Sequence, residues 1–241
     1  PPQQGGELRA KLPGKYTATT KDSNGDPVTF SVTIATGVNE ATEKAYSDLN
    51  RLVVLGFAPC GVDYASPEEL LANGWAATEE EANANYGPKW FIEFTSDETI
   101  STSLPVNNEL DYTMLNFDGK QYYFHAFAKR PTSDRYTDAV RSFPVEVSDD
   151  LTVTIKKLVE ETDYGTFTYY PGVLSGTSQW WGDMVFAASE EIVLKRDADQ
   201  GPEPAAVKSV RHLSMPERVT VNLGASPAVD NRRAVAERLM R

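Results

Sequence analysis

The chain has 241 residues, 40% of them hydrophobic, and a formal net charge of −12. That length suits one fairly large domain or one domain with an appendage. The acidic balance repels nucleic-acid phosphates and anionic lipid, so no nucleic acid or membrane surface is expected as a partner, and no window approaches the ~18 apolar residues of a transmembrane segment.

Cys60 is the only cysteine, and His125 and His212 are the only histidines. An intramolecular disulfide is excluded, and no metal or cofactor is expected. Within FAPCGV the thiol reads as a small buried hydrophobe.

The opening PPQQGGELRAKLPG carries no apolar signal-peptide core and reads as a flexible leader over residues 1–13. GKYTATT and FSVTI alternate apolar and polar residues around the turn formers KDSNGDP, which predicts a hairpin at roughly 14–36. NEATEKAYSDLNRL sets Ala41, Ala45, Leu49 and Leu52 near one helical stripe. SPEELLANG predicts a helix with Ser66 as N-cap, Pro67 first, Glu69 completing a capping box and Gly74 as stop. TEEEANANYG repeats that grammar from Thr78, with Glu81 three residues on and Gly87 as stop. KWFIEF then puts Trp90, Ile92 and Phe94 on one strand face.

DYTMLNFDGKQYYFHAF holds the clearest hairpin. A two-residue Asp118-Gly119 turn sets Leu115 opposite Tyr122, Met114 opposite Tyr123 and Tyr112 opposite His125. Both faces of that hairpin are largely apolar, so both are expected to be covered. FPVEV, LTVTI, TFTYY and DMVFAASEEIVLKR supply further strands. DADQGPEPAA reads as a linker, MPERVTVNLG as a strand-like run, and SPAVDNRRAVAERLMR as a helix capped by Ser226. Residues 197–241 hold seven basic and six acidic residues, a net of +1, so the body before them carries −13. The expected organisation is a leader (1–13), a β-domain (14–196) and a linker with a C-terminal arm (197–241). The fold class is mainly β: an antiparallel barrel or sandwich with a few short helices.

Residues 177–184, TSQWWGDM, carry adjacent tryptophans. In a strand, Trp180 and Trp181 point to opposite faces. One reading puts them in a core under a lid. The other makes them a platform on which a sugar's C–H face stacks, with Gln179 and Asp183 taking hydroxyls and Tyr169 and Tyr170 nearby. DSNGD echoes the oxygen spacing of calcium loops, but hairpin tips favour these residues for backbone reasons and the far glutamate is missing. Glu93 and Glu146 are solvated strand carboxylates by location, so glycosidase chemistry is not inferred from them. His125 has no adjacent nucleophile and no G-x-S-x-G elbow, and reads as a hydrogen-bonded, half-buried side chain. Arg232, Arg233, Arg238 and Arg241 make a basic end, either solvated or docked on an acidic body.

LPGKYTATTKDSNGDPVTFSVTI resembles the first hairpin of lipocalin-like modules, with Tyr16 where tryptophan is commoner. GFAPCGVDYASPEELLANGW and NYGPKWFIEF resemble segments of Bacteroidetes-type surface lipoproteins. The likeness spans roughly residues 12–196. It implies an exported protein at the cell surface or outer membrane, lipid-anchored upstream of Pro1, engaged in glycan capture or adhesion. Cys60 is internal and is not the lipidated cysteine of that pattern. The expected function is therefore non-catalytic binding of a glycan or small amphipathic ligand. The alternative is a structural or adhesion subunit that meets a protein partner through residues 197–241.

Overall fold

The computed structural model describes residues 6–39, 44–45, 50–59, 66–74, 76–79, 82, 87–96, 99–104, 114–115, 121–177, 180–198 and 207–208. Two short helices are present, α1 (Gly6–Lys11) and α2 (Pro67–Ala72). The first strands are β1 (Gly14–Lys21), β2 (Pro27–Ala35), β3 (Gly37–Asn39), β4 (Lys44–Ala45), β5 (Arg51–Leu55), β6 (Trp90–Phe94) and β7 (Ile100–Ser103). Next come β8 (Met114–Leu115), β9 (Gln121–Lys129), β10 (Tyr136–Ala139), β11 (Pro144–Val147) and β12 (Val153–Ile155). The last are β13 (Leu158–Thr162), β14 (Gly165–Thr177), β15 (Trp180–Ala187), β16 (Ile192–Arg196) and β17 (Val207–Lys208).

Eight strands close an antiparallel barrel in the order β1, β2, β5, β6, β7, β11, β12, β16 and back to β1. Each barrel strand pairs with the next one in the chain, which is up-and-down order. Two of the excursions from this path build a second sheet. β8–β10 lie between β7 and β11, and β13–β15 lie between β12 and β16. They meet in a second sheet ordered β10-β9-β14-β13, with β15 also on β14 and β8 also on β9. β3, β4 and β17 form a small third sheet, in which β17 runs parallel to β3.

Alternation decides which residues fill the barrel. β1 alternates buried and more exposed residues along its length, with Tyr16 and Ala18 fully buried. Val32, Ile34, Leu52, Val54, Trp90, Ile92, Phe94, Val153, Ile155, Ile192 and Leu194 join them at 2% exposure or less. An eight-stranded barrel has an interior just wide enough for side chains to fill it. The inner face of the second sheet adds Tyr122, Phe124, Ala126, Ala128, Tyr169 and Val173 to this same core. Phe124 stacks on Trp90, centroids 4.7 Å apart at 21°. Phe57 meets both rings edge-on, and Phe143 meets Phe124 likewise. Among the described residues no acceptor meets the Trp90 indole N–H. Leaving it unpaired costs about 1–3 kcal/mol, which the surrounding aromatic burial outweighs.

Several expectations hold. The 14–36 hairpin is β1–β2, joined in register from Gly14 opposite Ile34 to Lys21 opposite Pro27. Ser66 caps α2 in a full capping box with Glu69. Both faces of β9 are covered, since Phe124 and Phe127 are each nearly fully buried. From Thr78, a turn closes where Ala82 N–H donates to the Thr78 carbonyl at 2.9 Å. The rest of that expected helix, and the Ser226-capped helix, lie outside the described residues.

Three expectations change. The helix expected over 39–52 contains the strand residues of β4 and the start of β5. RLVVL carries the β-branched pair Val53 and Val54 and pairs on both sides, so tertiary pairing overrides a weak alanine stripe. In the β8–β9 hairpin, Met114 stands opposite Tyr122 and Leu115 opposite Gln121, one residue off the two-residue-turn register. The long pairing of β9 with β14, from Gln121 to Ala128, anchors β9 independently of a local Asp-Gly preference. Tyr112 lies outside the described residues. Finally, the stretch expected as a flexible leader is ordered from Gly6 on. Leu12 is fully buried, and the mostly buried Arg9 donates to Asn50 Oδ1 at 2.7 Å.

Arg196, at the end of the last barrel strand, fastens this segment. Its guanidinium donates to the carbonyls of Lys11, Leu12 and Pro13 and to the Tyr16 hydroxyl, at 3.0–3.3 Å. It also lies over the Tyr16 ring at 5.6 Å. Tyr16 in turn donates to the Leu12 carbonyl at 2.7 Å. Burial pushes the Tyr16 hydroxyl above its ordinary range, against the opposing pull of Arg196. Arg196→Met is expected to lower the unfolding free energy by about 1–3 kcal/mol. Leu12→Ala is expected to lower it by about 2–5 kcal/mol. Urea midpoints check both, and an unmoved midpoint for Leu12→Ala would remove residues 6–13 from the folded body.

Candidate functional site

The aromatic and polar residues read from the sequence as ligand contacts belong to β14, β15 and the segment between them. The hairpin aligns Thr177 with Trp180, Ser175 with Asp183, Leu174 with Met184, Val173 with Phe186 and Gly172 with Ala187. The register slips twice, and each slip gives β15 one extra residue. At the first slip Trp181 and Gly182 together span the place opposite Gly176. Gly182 is required there by close approach. A Cβ on it would lie 0.8 Å from the Ser175 carbonyl oxygen. Bulges of this kind re-aim strand residues and sharpen the local twist. Thus the plain alternation expected across WWGD is interrupted within the motif itself.

Asp183 is half-buried, and its carbonyl accepts from Ser175 Oγ at 3.4 Å. Gln179 lies outside the described residues. Tyr169 and Tyr170 belong to the other end of β14. Tyr169 pairs with Ala128 and Leu158, eight residues before Thr177. At about 3.3 Å per residue, that is about 26 Å along the strand. The two tyrosines therefore do not join the tryptophans in one site.

Tyr169 is 7% exposed because another pair roofs it. Arg141 lies 5.6 Å from its ring centroid and forks onto Glu160 of β13 at 2.5 and 3.3 Å. Phe167 stacks beside it at 6.3 Å. Burial raises the Tyr169 hydroxyl pKa, Glu160 adds to that rise, and Arg141 opposes it. Tyr170 is half-buried opposite Phe127, and its hydroxyl is raised by burial and then by Glu191 and Glu190. Sequence reasoning missed Arg141 and Glu160. They are 19 residues apart, and no local pattern joins them.

A second pair was also missed. His125 Nε2 lies 3.1 Å from Asp138 Oδ2, with side chains 5% and 13% exposed. Asp138 sits on β10 opposite Phe127, so the contact is diagonal across the β9–β10 ladder. A buried imidazole with a carboxylate is a proton-handling element. Opposite His125 stands Gly172, and a Cβ on Gly172 would strike Phe127 at 2.5 Å. On that face the strand neighbours are Tyr123, Phe127, Tyr170 and Leu174. None is a serine, threonine or cysteine, so the pair reads as a structural cross-link between β9 and β10.

The remaining candidates resolve plainly. Asp22 Oδ1 accepts from the backbone N–H groups of Asn24 and Asp26 at 2.9 Å, so DSNGD caps its own turn. Glu93 faces Arg51 at 3.6 Å, and Glu146 faces Lys156 at 3.6 Å. Among the described residues no three His, Cys, Asp or Glu side chains group as metal ligands, and Cys60 lies outside them. No described helix is long and apolar enough to cross a membrane.

Comparison with protein-family models, with curated proteins and with solved structures finds no match. The geometry of β14 and β15 itself carries a test. Gly182→Ala is expected to cost about 3 kcal/mol or more, because backbone must move to admit the methyl group. A urea midpoint equal to that of the parent would contradict the bulge.

Proposed function

We propose that the chain is a non-catalytic binding module. It holds a glycan or a small amphipathic ligand on the outside of the second sheet, where β14 turns into β15. One observation carries this reading: the barrel is filled. Tyr16, Ile34, Leu52, Val54, Trp90, Ile92, Val153 and Ile155 are all fully buried in one core. A packed lumen leaves recognition to the exterior. The sequence places two adjacent tryptophans at the first positions of β15, beside a glycine-dependent bulge. Aromatic faces at such a turn supply a large apolar contact at little cost in side-chain entropy. Asp183, half-buried, follows the bulge by one residue. Binding of this kind needs stacking and a few hydrogen bonds and no covalent step.

The up-and-down strand order fits the lipocalin-like likeness of the first hairpin, and the proposal places the protein among exported, surface-anchored binding modules. Tyr169 is not a contact residue in this reading, since Arg141 already occupies its face.

The test is tryptophan emission titrated across a glycan array and a set of small amphipaths. One ligand class is expected to change the emission. Trp181→Ala or Trp180→Ala should weaken that ligand about tenfold while melting stays cooperative. An emission that no ligand moves, or an affinity that neither substitution alters, would contradict the assignment.

A further inference from the structure

The second sheet ends on one side in an open strand edge. β13 pairs with β14 alone, from Leu158 opposite Tyr169 to Thr162 opposite Gly165. Only two residues, Asp163 and Tyr164, separate that last pair, so Thr162 and Gly165 form its closing hydrogen-bonded rung. In an antiparallel ladder the bonded rungs alternate. Leu158, Glu160 and Thr162 therefore spend their backbone groups on β14. Val159 and Glu161 turn theirs to the open side. Among the described residues nothing pairs with that side.

The surroundings of this edge are unlike the rest of the surface. Val140, Val159 and Tyr164 are exposed by 59%, 49% and 85%, and these are the large hydrophobic residues most exposed among those described. Val159 lies in β13 and Tyr164 at its turn. Val140 follows β10, at the opposite edge of the same sheet. Arg141 pairs with Glu160, Thr166 Oγ1 donates to Glu161 at 2.8 Å, and Asp163 completes the carboxylates along the edge. The segment LVEETDYG contains no basic residue.

An unpaired edge with exposed apolar side chains is a template for another strand, and native proteins usually blunt such edges with lysine, proline or a cover. β13 carries neither lysine nor proline. We propose that the open edge of β13, framed by Val159, Glu161 and Tyr164, docks an extended basic and apolar peptide segment as an added strand. The backbone groups of Val159 and Glu161 make the ladder. Val159 and Tyr164 receive the apolar side chains, and Glu161 and Asp163 select lysine or arginine over acidic residues. This is strand addition, a general mode of peptide recognition. The chain's overall charge of −12 favours the same sign of partner.

The probe is a capped hexapeptide of alternating valine and lysine, titrated into the full chain by calorimetry and followed by amide chemical shifts. Saturable binding is expected, with the amides of Val159 and Glu161 shifting most. Val159→Pro removes an outward N–H without touching the β13–β14 ladder, and should weaken binding about tenfold. The same peptide N-methylated at alternate amides keeps its charge but cannot extend a ladder, and it should not bind. That arm uses the unmodified protein, so it decides the question even if the proline variant misfolds. Equal binding of the N-methylated peptide would reduce the effect to bulk charge and overturn the proposal. So would the lack of saturation at about 1 mM. A dimer in light scattering that Val159→Pro dissolves would assign the edge to a second copy instead, and would equally overturn it.

Discussion

The stack of Trp90 on Phe124 holds the two halves of this molecule together. Trp90 belongs to the barrel and Phe124 to the second sheet, yet their rings lie 4.7 Å apart in one continuous core. Phe57 and Phe143 close around them. Removing one such buried ring costs about 3–5 kcal/mol, against a total stability of about 5–15 kcal/mol for an ordinary domain. The surface ion pairs are of another order. Lys11 with Glu7 and Lys129 with Asp134 are largely exposed, and pairs of that kind contribute about 0–1 kcal/mol. The aromatic junction therefore sets the relation between barrel and sheet, and the charges decorate it.

Given that junction, the rest of the architecture is constrained. The barrel keeps chain order around its circumference, so each excursion must return beside the strand it left. β8–β10 depart and return between β7 and β11, and β13–β15 do so between β12 and β16. Their strands meet as β9 and β14, whose inner faces complete the core. The outer face holds a smaller cluster of Phe127, Leu174, Met184 and Ala187, with the His125–Asp138 pair beside it. Two properties relevant to function follow. The lumen is occupied by the protein's own side chains, and the second sheet lies beside it. The β14–β15 ladder carries a bulge, and among the described residues nothing pairs with the outer side of β13.

Much of this was legible in the sequence, for a definable reason. Period-two alternation in FSVTI, KWFIEF and LTVTI reports burial directly, and the capping box at Ser66 is a purely local device. The failures are of the opposite kind. RLVVL takes its state from two flanking strands. The β8–β9 register follows β9's long pairing with β14. Leu12 and Arg9 look like leader residues until the end of β16 brings Arg196 back to them. At the candidate site, the tandem tryptophans stand on a strand as expected, but the Gly182 bulge was hidden because it depends on a contact with Ser175. Tyr169 looked available until Arg141 and Glu160 were placed over it. Each miss involves a partner many residues away whose identity no local pattern announces.

The central claim is that barrel and second sheet share one core and unfold as one body. Native-state hydrogen exchange under graded denaturant tests it most directly. The account predicts that the slowest amides of β1, β6 and β16 and those of β9 and β14 converge on a single opening free energy with a single denaturant slope. Contradiction would take a plain form. The amides of β9 and β14 would open at lower free energy and with a smaller slope, while the barrel amides stayed protected.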